Sequence, residues 1–242
     1  MTYALKKYKM INISRRNTMD NSKKMELLRY VDHTLLAQTA TPDEIKTVID
    51  DGIKYNTASV CIPNCYVKFA AEYAQGRIKI ATLSGFPHGN LPTETKCFEA
   101  AKAFEDGADE IDMVANLGYL RAKMYDKVLE DIKAVKRVCG DRVLKVIIET
   151  CLLTEEEKIM MCKIVSDSGA DYIKTSTGFS TAGATREDIA LFKANCREGL
   201  GIKAAGGIRS FEDAEDMVAL GATRLGTSAL VKILKKEELG NY

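Results

Sequence analysis

From Val31 onward, short runs rich in apolar and β-branched residues alternate with stretches that open on helix-capping signals. The runs predict strands over 31–34, 58–62, 78–86, 110–116, 143–149, 172–177, 202–205 and 224–227. Thr41-Pro-Asp-Glu44 opens the first intervening helix with a capping box and a proline at the first helical position. Further helices are predicted over 66–75, 93–106 and about 121–138. Thr154 with Glu157, Thr185, and Ser210 with Asp213 begin the next three, and a last helix runs from Ser228 to about Leu239. Eight strand-then-helix units in roughly 215 residues predict an α/β fold, a single (β/α)8 TIM barrel. The rival, an open doubly wound sheet, is disfavoured because no dinucleotide fingerprint follows a strand.

A weak internal repeat sharpens the barrel reading. Gly107-Ala-Asp-Glu-Ile-Asp112, Gly169-Ala-Asp-Tyr-Ile-Lys174 and Gly221-Ala-Thr-Arg-Leu-Gly226 share a Gly-Ala start and an aliphatic residue four places on. The glycine would end a helix in the left-handed conformation, and the aliphatic would face the helical shell. Asp112, Lys174 and Gly226 then fall at equivalent positions on strands four, six and eight. Alternate strands of a barrel supply one interior layer, so Asp112 and Lys174 are expected at the same height inside.

That placement turns attention to the lysines. Strand alternation puts Ile173 outside and Lys174 inside, and likewise Ile202 outside and Lys203 inside on the neighbouring strand. A lysine pointing into a protein is costly unless it is paired or neutral. Two ammonium groups ~5 Å apart at an effective dielectric of ~20 repel by roughly 3 kcal/mol, about two pKa units. One lysine would then be partly neutral near physiological pH, as attack on a carbonyl to form a Schiff base requires. Asp112 can balance the other charge and pass protons. The plainer alternative is that both are snorkelling or salt-bridged rim lysines. Lys145 and Glu149 also face inward, as an ion pair or as an electrostatic support. Cys61 is either packing or an active-site thiol, and Asp32 reads as a rim residue. His33 and His88 read as hydrogen-bonded structural residues.

Gly206-Gly207 ends strand seven, and Gly226-Thr227-Ser228 ends strand eight at a helix start. In phosphate-binding barrels these two loops offer backbone N–H groups and a helix N-terminus to the anion. Thr177-Gly178, just beyond Lys174, could add a third edge.

Composition narrows the setting. The 242 residues are 46% hydrophobic and 29% charged, with a formal charge of +1, which gives no reason to expect nucleic acid as a partner. No apolar run approaches the ~20 residues of a membrane span. Residues 1–24 hold seven Lys/Arg and one acid without the apolar core of a secretory signal. They read as a disordered basic tail, or as the result of a start misassigned upstream of Met19 or Met25, with a targeting sequence as the remaining option; residues 25–242 form the barrel domain. The seven cysteines are scattered and never in a C-x-x-C pair, which suits reduced thiols in the cytoplasm rather than disulfides or zinc. With two histidines, a histidine-rich metal centre is not expected.

The assembled motifs resemble the deoxyribose-phosphate aldolases, a family of class I, Schiff-base aldolases. The resemblance spans about residues 30–234. It is carried by Asp32-His-Thr-Leu-Leu36, Ser59-Val-Cys-Ile-Pro63, Ser84-Gly-Phe-Pro-His-Gly89 and Glu110-Ile-Asp-Met-Val-Ala-Asn116. Leu144-Lys-Val-Ile-Ile-Glu-Thr150, Tyr172-Ile-Lys-Thr-Ser-Thr-Gly-Phe179 and Ile202-Lys-Ala-Ala-Gly-Gly-Ile-Arg209 complete it. It implies reversible cleavage of 2-deoxy-D-ribose 5-phosphate to D-glyceraldehyde 3-phosphate and acetaldehyde, in deoxyribonucleoside catabolism and without a cofactor. By resemblance Lys174 is the Schiff-base lysine, Lys203 the lysine that tunes it, and Asp112 the proton donor and acceptor, acting through water. The iminium serves as the electron sink, a job other aldolases give to zinc. The phosphate is expected on Gly178, Gly206, Gly207, Gly226 and Ser228, with Asp32, Cys61, Lys145 and Thr177 in the substrate pocket. Position 179 is Phe where some relatives carry a basic residue, and the basic tail lies outside the shared core. A homodimer is an open expectation, as dimers are common among relatives. Another phosphosugar-barrel aldolase, an isomerase, or a non-catalytic sugar-phosphate sensor are the rival functions.

Overall fold

The computed structural model describes residues 19–240. Eight parallel strands close into a barrel in sequence order: β1 (Val31–Thr34), β2 (Ser59–Cys61), β3 (Ile80–Ser84), β4 (Glu110–Val114), β5 (Val143–Ile147), β6 (Tyr172–Lys174), β7 (Gly201–Ala205) and β8 (Arg224–Thr227). Around them, among the described residues, lie ten helices: α1 (Asn21–Leu28), α2 (Pro42–Lys54), α3 (Val67–Ala74), α4 (Thr93–Glu105), α5 (Leu117–Arg121), α6 (Tyr125–Cys139), α7 (Glu155–Asp167), α8 (Arg186–Asn195), α9 (Phe211–Ala219) and α10 (Ala229–Gly240). The (β/α)8 expectation is met.

The local signals act as their chemistry dictates. Thr41 and Glu44 form the capping box of α2, and Thr154 and Glu157 that of α7, each satisfying two otherwise orphaned backbone N–H groups. Thr185 and Ser210 cap α8 and α9 through the N–H groups of Asp188 and Asp213. Gly107, Gly169 and Gly221 have φ of +102°, +82° and +117°, so each repeat leaves its helix through a conformation that a Cβ would penalise. The outward residues Ile111, Leu144, Val146, Ile173, Ile202, Ala204 and Leu225 are buried against the helices. Each large aliphatic there contributes ~1.5–3 kcal/mol of burial. Strand alternation therefore leaves the polar partners Asp112, Lys145, Lys174 and Lys203 inside.

Three expectations shift. The helix predicted from about 121 to 138 begins only at Tyr125, as α6, because Lys123 takes φ +56° between it and the separate short helix α5. Strand β6 ends at Lys174 rather than Thr177, because Thr177 is drawn out of the sheet by Glu149, which accepts from its backbone N–H at 3.2 Å and from its hydroxyl. The folded part also begins before Met25. Asp20 caps α1, which buries Leu27 and Leu28, so residues 21–24 of the expected tail are helical. Residues 1–18 lie outside the described residues. Among the described residues, no helix is long and apolar enough to cross a membrane.

Candidate active site

The β-ladder sets the site from below upward. In the parallel register Asp112 of β4 pairs with Lys145 of β5, and Lys174 of β6 with Lys203 of β7. All four side chains point into the barrel and meet on one carboxylate. Lys174 and Lys203 donate to Asp112 Oδ2 at 2.7 and 2.6 Å, and Lys145 donates to Oδ1 at 2.8 Å. The common height of Asp112 and Lys174, expected from the repeat, is thus observed as a direct contact.

Beneath them the network continues. Lys145 pairs with Glu110 at 2.6 Å and lies 3.7 Å from Asp32. Lys203 also pairs with Asp32, which accepts from Ser59 at 2.7 Å and from Arg224 at 2.7 Å. Arg224 reaches Glu110 at 3.0 Å and sits over the Tyr172 ring at 5.4 Å. The belt thus holds four cations (Lys145, Lys174, Lys203, Arg224) and three carboxylates (Asp32, Glu110, Asp112). It is neutral when one cation gives up its proton.

Position sets one of the four apart. Lys174 stands at the top, 3% exposed, and is the belt lysine that lines the cavity. Its pKa is lowered by burial first; Asp112 opposes that shift and the charge of Lys203 adds to it. Sequence alone credited repulsion from Lys203; in the structure desolvation is the larger cause. Burial also works against the charge of Lys203, but Asp112 and Asp32 outweigh it and hold its pKa above the ordinary lysine value. Lys145 is likewise raised despite burial, by Asp112, Asp32 and Glu110. Asp112, although buried, is held well below the usual carboxylate range by Lys145, Lys174 and Lys203. One lysine is set apart as the candidate nucleophile, between a fixed cation and a fixed anion.

Above Lys174 opens a cavity of about 710 Å³, walled by Thr177, Gly178, Phe179, Gly206, Gly226 and Ser228 among others. Gly206 has φ +73° and packs tightly on Gly183, where a Cβ would stand 2.4 Å from the Gly206 carbonyl carbon. Ser228 lines the same space and directly precedes α10, whose N-terminal end carries a partial positive charge. Gly207 is turned away: its Cβ position faces Ala184 O at 3.3 Å, and it is not part of the cavity wall.

Three expected pocket residues sit elsewhere. Asp32 is not at the rim but fully buried in the belt, and Lys145 is fully buried beneath Asp112. Both lie inside for the same reason as Lys203: they occupy inward strand positions away from the loops. Cys61 is buried with Ala81 and Leu83, and burial pushes its thiol up to about 11, so it stays protonated at neutral pH. Glu149 does not pair with Lys145; it clamps Thr177 instead.

Sequence reading missed Glu110, Arg224 and the lysines of α10. For the first two a signal existed. Glu110, Tyr172 and Arg224 occupy the same place in the three repeats, two residues before the upper layer, so they share its face one layer down. Among the described residues, no group of three His, Cys, Asp or Glu side chains is placed to hold a metal ion.

The DeoC/LacD family aldolase model matches residues 27–236. A deoxyribose-phosphate aldolase of Streptococcus agalactiae is 56% identical over 219 residues, 90% of this chain and 98% of that one. One from Streptococcus pyogenes is 56% identical over 212 residues, covering 88% and 95%. Among solved structures, the aldolase QR15 superposes with a TM-score of 0.83 at 36% identity, covering 88% of this chain and 98% of that one. The tetrameric deoxyribose phosphate aldolase of Aeropyrum pernix gives 0.82 at 29% identity, covering 89% and 92%.

Proposed function

The chain belongs to the DeoC/LacD family of aldolases, and from that premise we propose that it cleaves 2-deoxy-D-ribose 5-phosphate reversibly to D-glyceraldehyde 3-phosphate and acetaldehyde. The observation that carries the reading is Lys174: the belt lysine that faces the cavity, with its pKa lowered and Asp112 2.7 Å away. The neutral Lys174 amine attacks C1 of the opened sugar, and loss of water leaves an iminium ion. A base takes the proton of the C3 hydroxyl as the C2–C3 bond breaks. The bonding pair flows into the iminium, giving an enamine on the lysine and releasing D-glyceraldehyde 3-phosphate. Protonation of the enamine at C2 and hydrolysis then free acetaldehyde and the amine. Asp112, bridging Lys174 and Lys203 through one oxygen, is placed to move these protons by way of a water molecule. Lys203 keeps its charge and so favours the neutral form of its neighbour.

The phosphate is assigned to the wall of Gly178, Gly206, Gly226 and Ser228, with Gly207 supporting it from behind. Gly183→Ala is expected to push the Gly206 loop outward, lowering stability by about 1–3 kcal/mol and raising KM for the phosphorylated sugar severalfold. Thermal denaturation and steady-state kinetics read the two effects. We assign the enzyme to the cytoplasm, in keeping with its seven free cysteines.

Borohydride added with deoxyribose 5-phosphate is expected to reduce the imine and leave a stable adduct on the Lys174 peptide. A folded protein that binds the phosphosugar without forming any adduct would rule the Schiff-base reading out, and would favour an isomerase or a sensor.

A further inference from the structure

We propose that Lys232 supplies the positive charge that holds the substrate phosphate, and so sets the preference for a phosphorylated over a free sugar; this rests on the aldolase reading. A sugar phosphate brings close to two negative charges at neutral pH. The loops assigned to it offer neutral N–H groups and the partial charge of a helix end. Phe179, on the same wall, is 48% exposed and packs edge to face on Phe86 with ring centroids 5.3 Å apart. It brings no charge.

The basic side chains lining the cavity are His33, Lys174, Lys232, Lys235 and Lys236. Lys174 is the nucleophile. His33 is buried, its Nδ1 lacks a hydrogen-bond partner, and burial lowers its pKa to about 4, so it is neutral near pH 7. Lys235 is tied to both carboxylate oxygens of Asp51 at 2.8 Å. The acids on the same wall are likewise engaged, Asp51 by Lys235 and Glu44 in the Thr41 capping box. Lys232 and Lys236 are exposed and have no ion-pair partner among the described residues.

Position on α10 separates those two. Lys232 lies four residues after Ser228, on the same helix face and a rise of ~6 Å away. Side chains on a helix lean toward its N-terminus. The stem of Lys232 therefore points back over the turn that carries Ser228, and its ammonium can reach an anion seated there. Lys236 starts one turn further along and leans only as far as Lys232.

The test compares kcat/KM for 2-deoxyribose 5-phosphate and for free 2-deoxyribose within each variant, so that a general loss of folded enzyme cancels. A charge-assisted hydrogen bond at a partly exposed site predicts a ratio about tenfold lower in Lys232→Ala. Lys232→Glu is expected to lower it further, Lys232→Arg to restore it, and added salt to narrow the gap between wild type and Lys232→Ala. An unchanged ratio in Lys232→Ala and Lys232→Glu overturns the assignment while leaving the aldolase reading intact. Wild-type protein that cleaves neither sugar and forms no borohydride adduct overturns both.

Discussion

Lys174→Leu is expected to abolish the borohydride adduct and to lower aldol cleavage by on the order of 10³- to 10⁵-fold, since it removes the covalent route altogether. The fold should survive. Leucine fills much of the lysine volume, and the belt is left with Lys145, Lys203 and Arg224 against Asp32, Glu110 and Asp112, three charges of each sign. Burial already disfavours the charge on Lys174, so its removal leaves the remaining buried charges matched in number. A thermal midpoint near that of wild type, with turnover gone, is the expected combination. In the wild type, the rate of adduct formation should climb with pH through the lowered pKa of Lys174, because only the neutral amine attacks. The climb should be complete at a pH below that of an ordinary lysine. A Lys174→Leu enzyme that still forms a reducible adduct would move the nucleophile elsewhere.

Asp112→Asn should be worse for the molecule than Lys174→Leu, although it changes a single atom. The carboxylate accepts from three lysines, and its loss leaves two carboxylates facing four potential cations in a buried site. An uncompensated buried charge costs ~3–5 kcal/mol, part of which is relieved as Lys174 and Lys203 lose protons. Chemical denaturation should show that loss of stability. Turnover should fall by on the order of 10²- to 10⁴-fold, while borohydride still traps substrate on Lys174. This split separates imine formation, which needs a neutral lysine, from the C2–C3 cleavage and enamine protonation that need a proton carrier. If Asp112→Asn turns over at the wild-type rate, the proton relay lies with another group.

Much of this centre could be read from the chain because two simple periodicities coincide. Strand alternation decides the face, so Ile173 and Ile202 on the outside put Lys174 and Lys203 on the inside. The Gly-Ala repeat decides the height, which is why Asp112 was expected level with Lys174 before any coordinate. The same repeat places Glu110 and Arg224 one layer lower. Other features had no local signature. The end of β6 depends on Glu149, 28 residues upstream of Thr177. Asp32 was expected at the rim because it lies near the end of a short strand, yet its place in the belt is set by Lys203, 171 residues away.

What the sequence determined by itself is the sum of short-range rules: caps, helix ends, the alternation of faces, and a repeat that orders the layers. These suffice for the barrel, for the inward lysines and for the aspartate between them. Only the tertiary structure decided which carboxylate answers which cation, that burial more than repulsion depresses Lys174, and that Lys232 lines the same cavity as Lys174. Those are matters of distance across a closed barrel and of exclusion from water. Electrostatic energies depend on separation and surrounding medium, and neither is encoded in the spacing of residues along a chain.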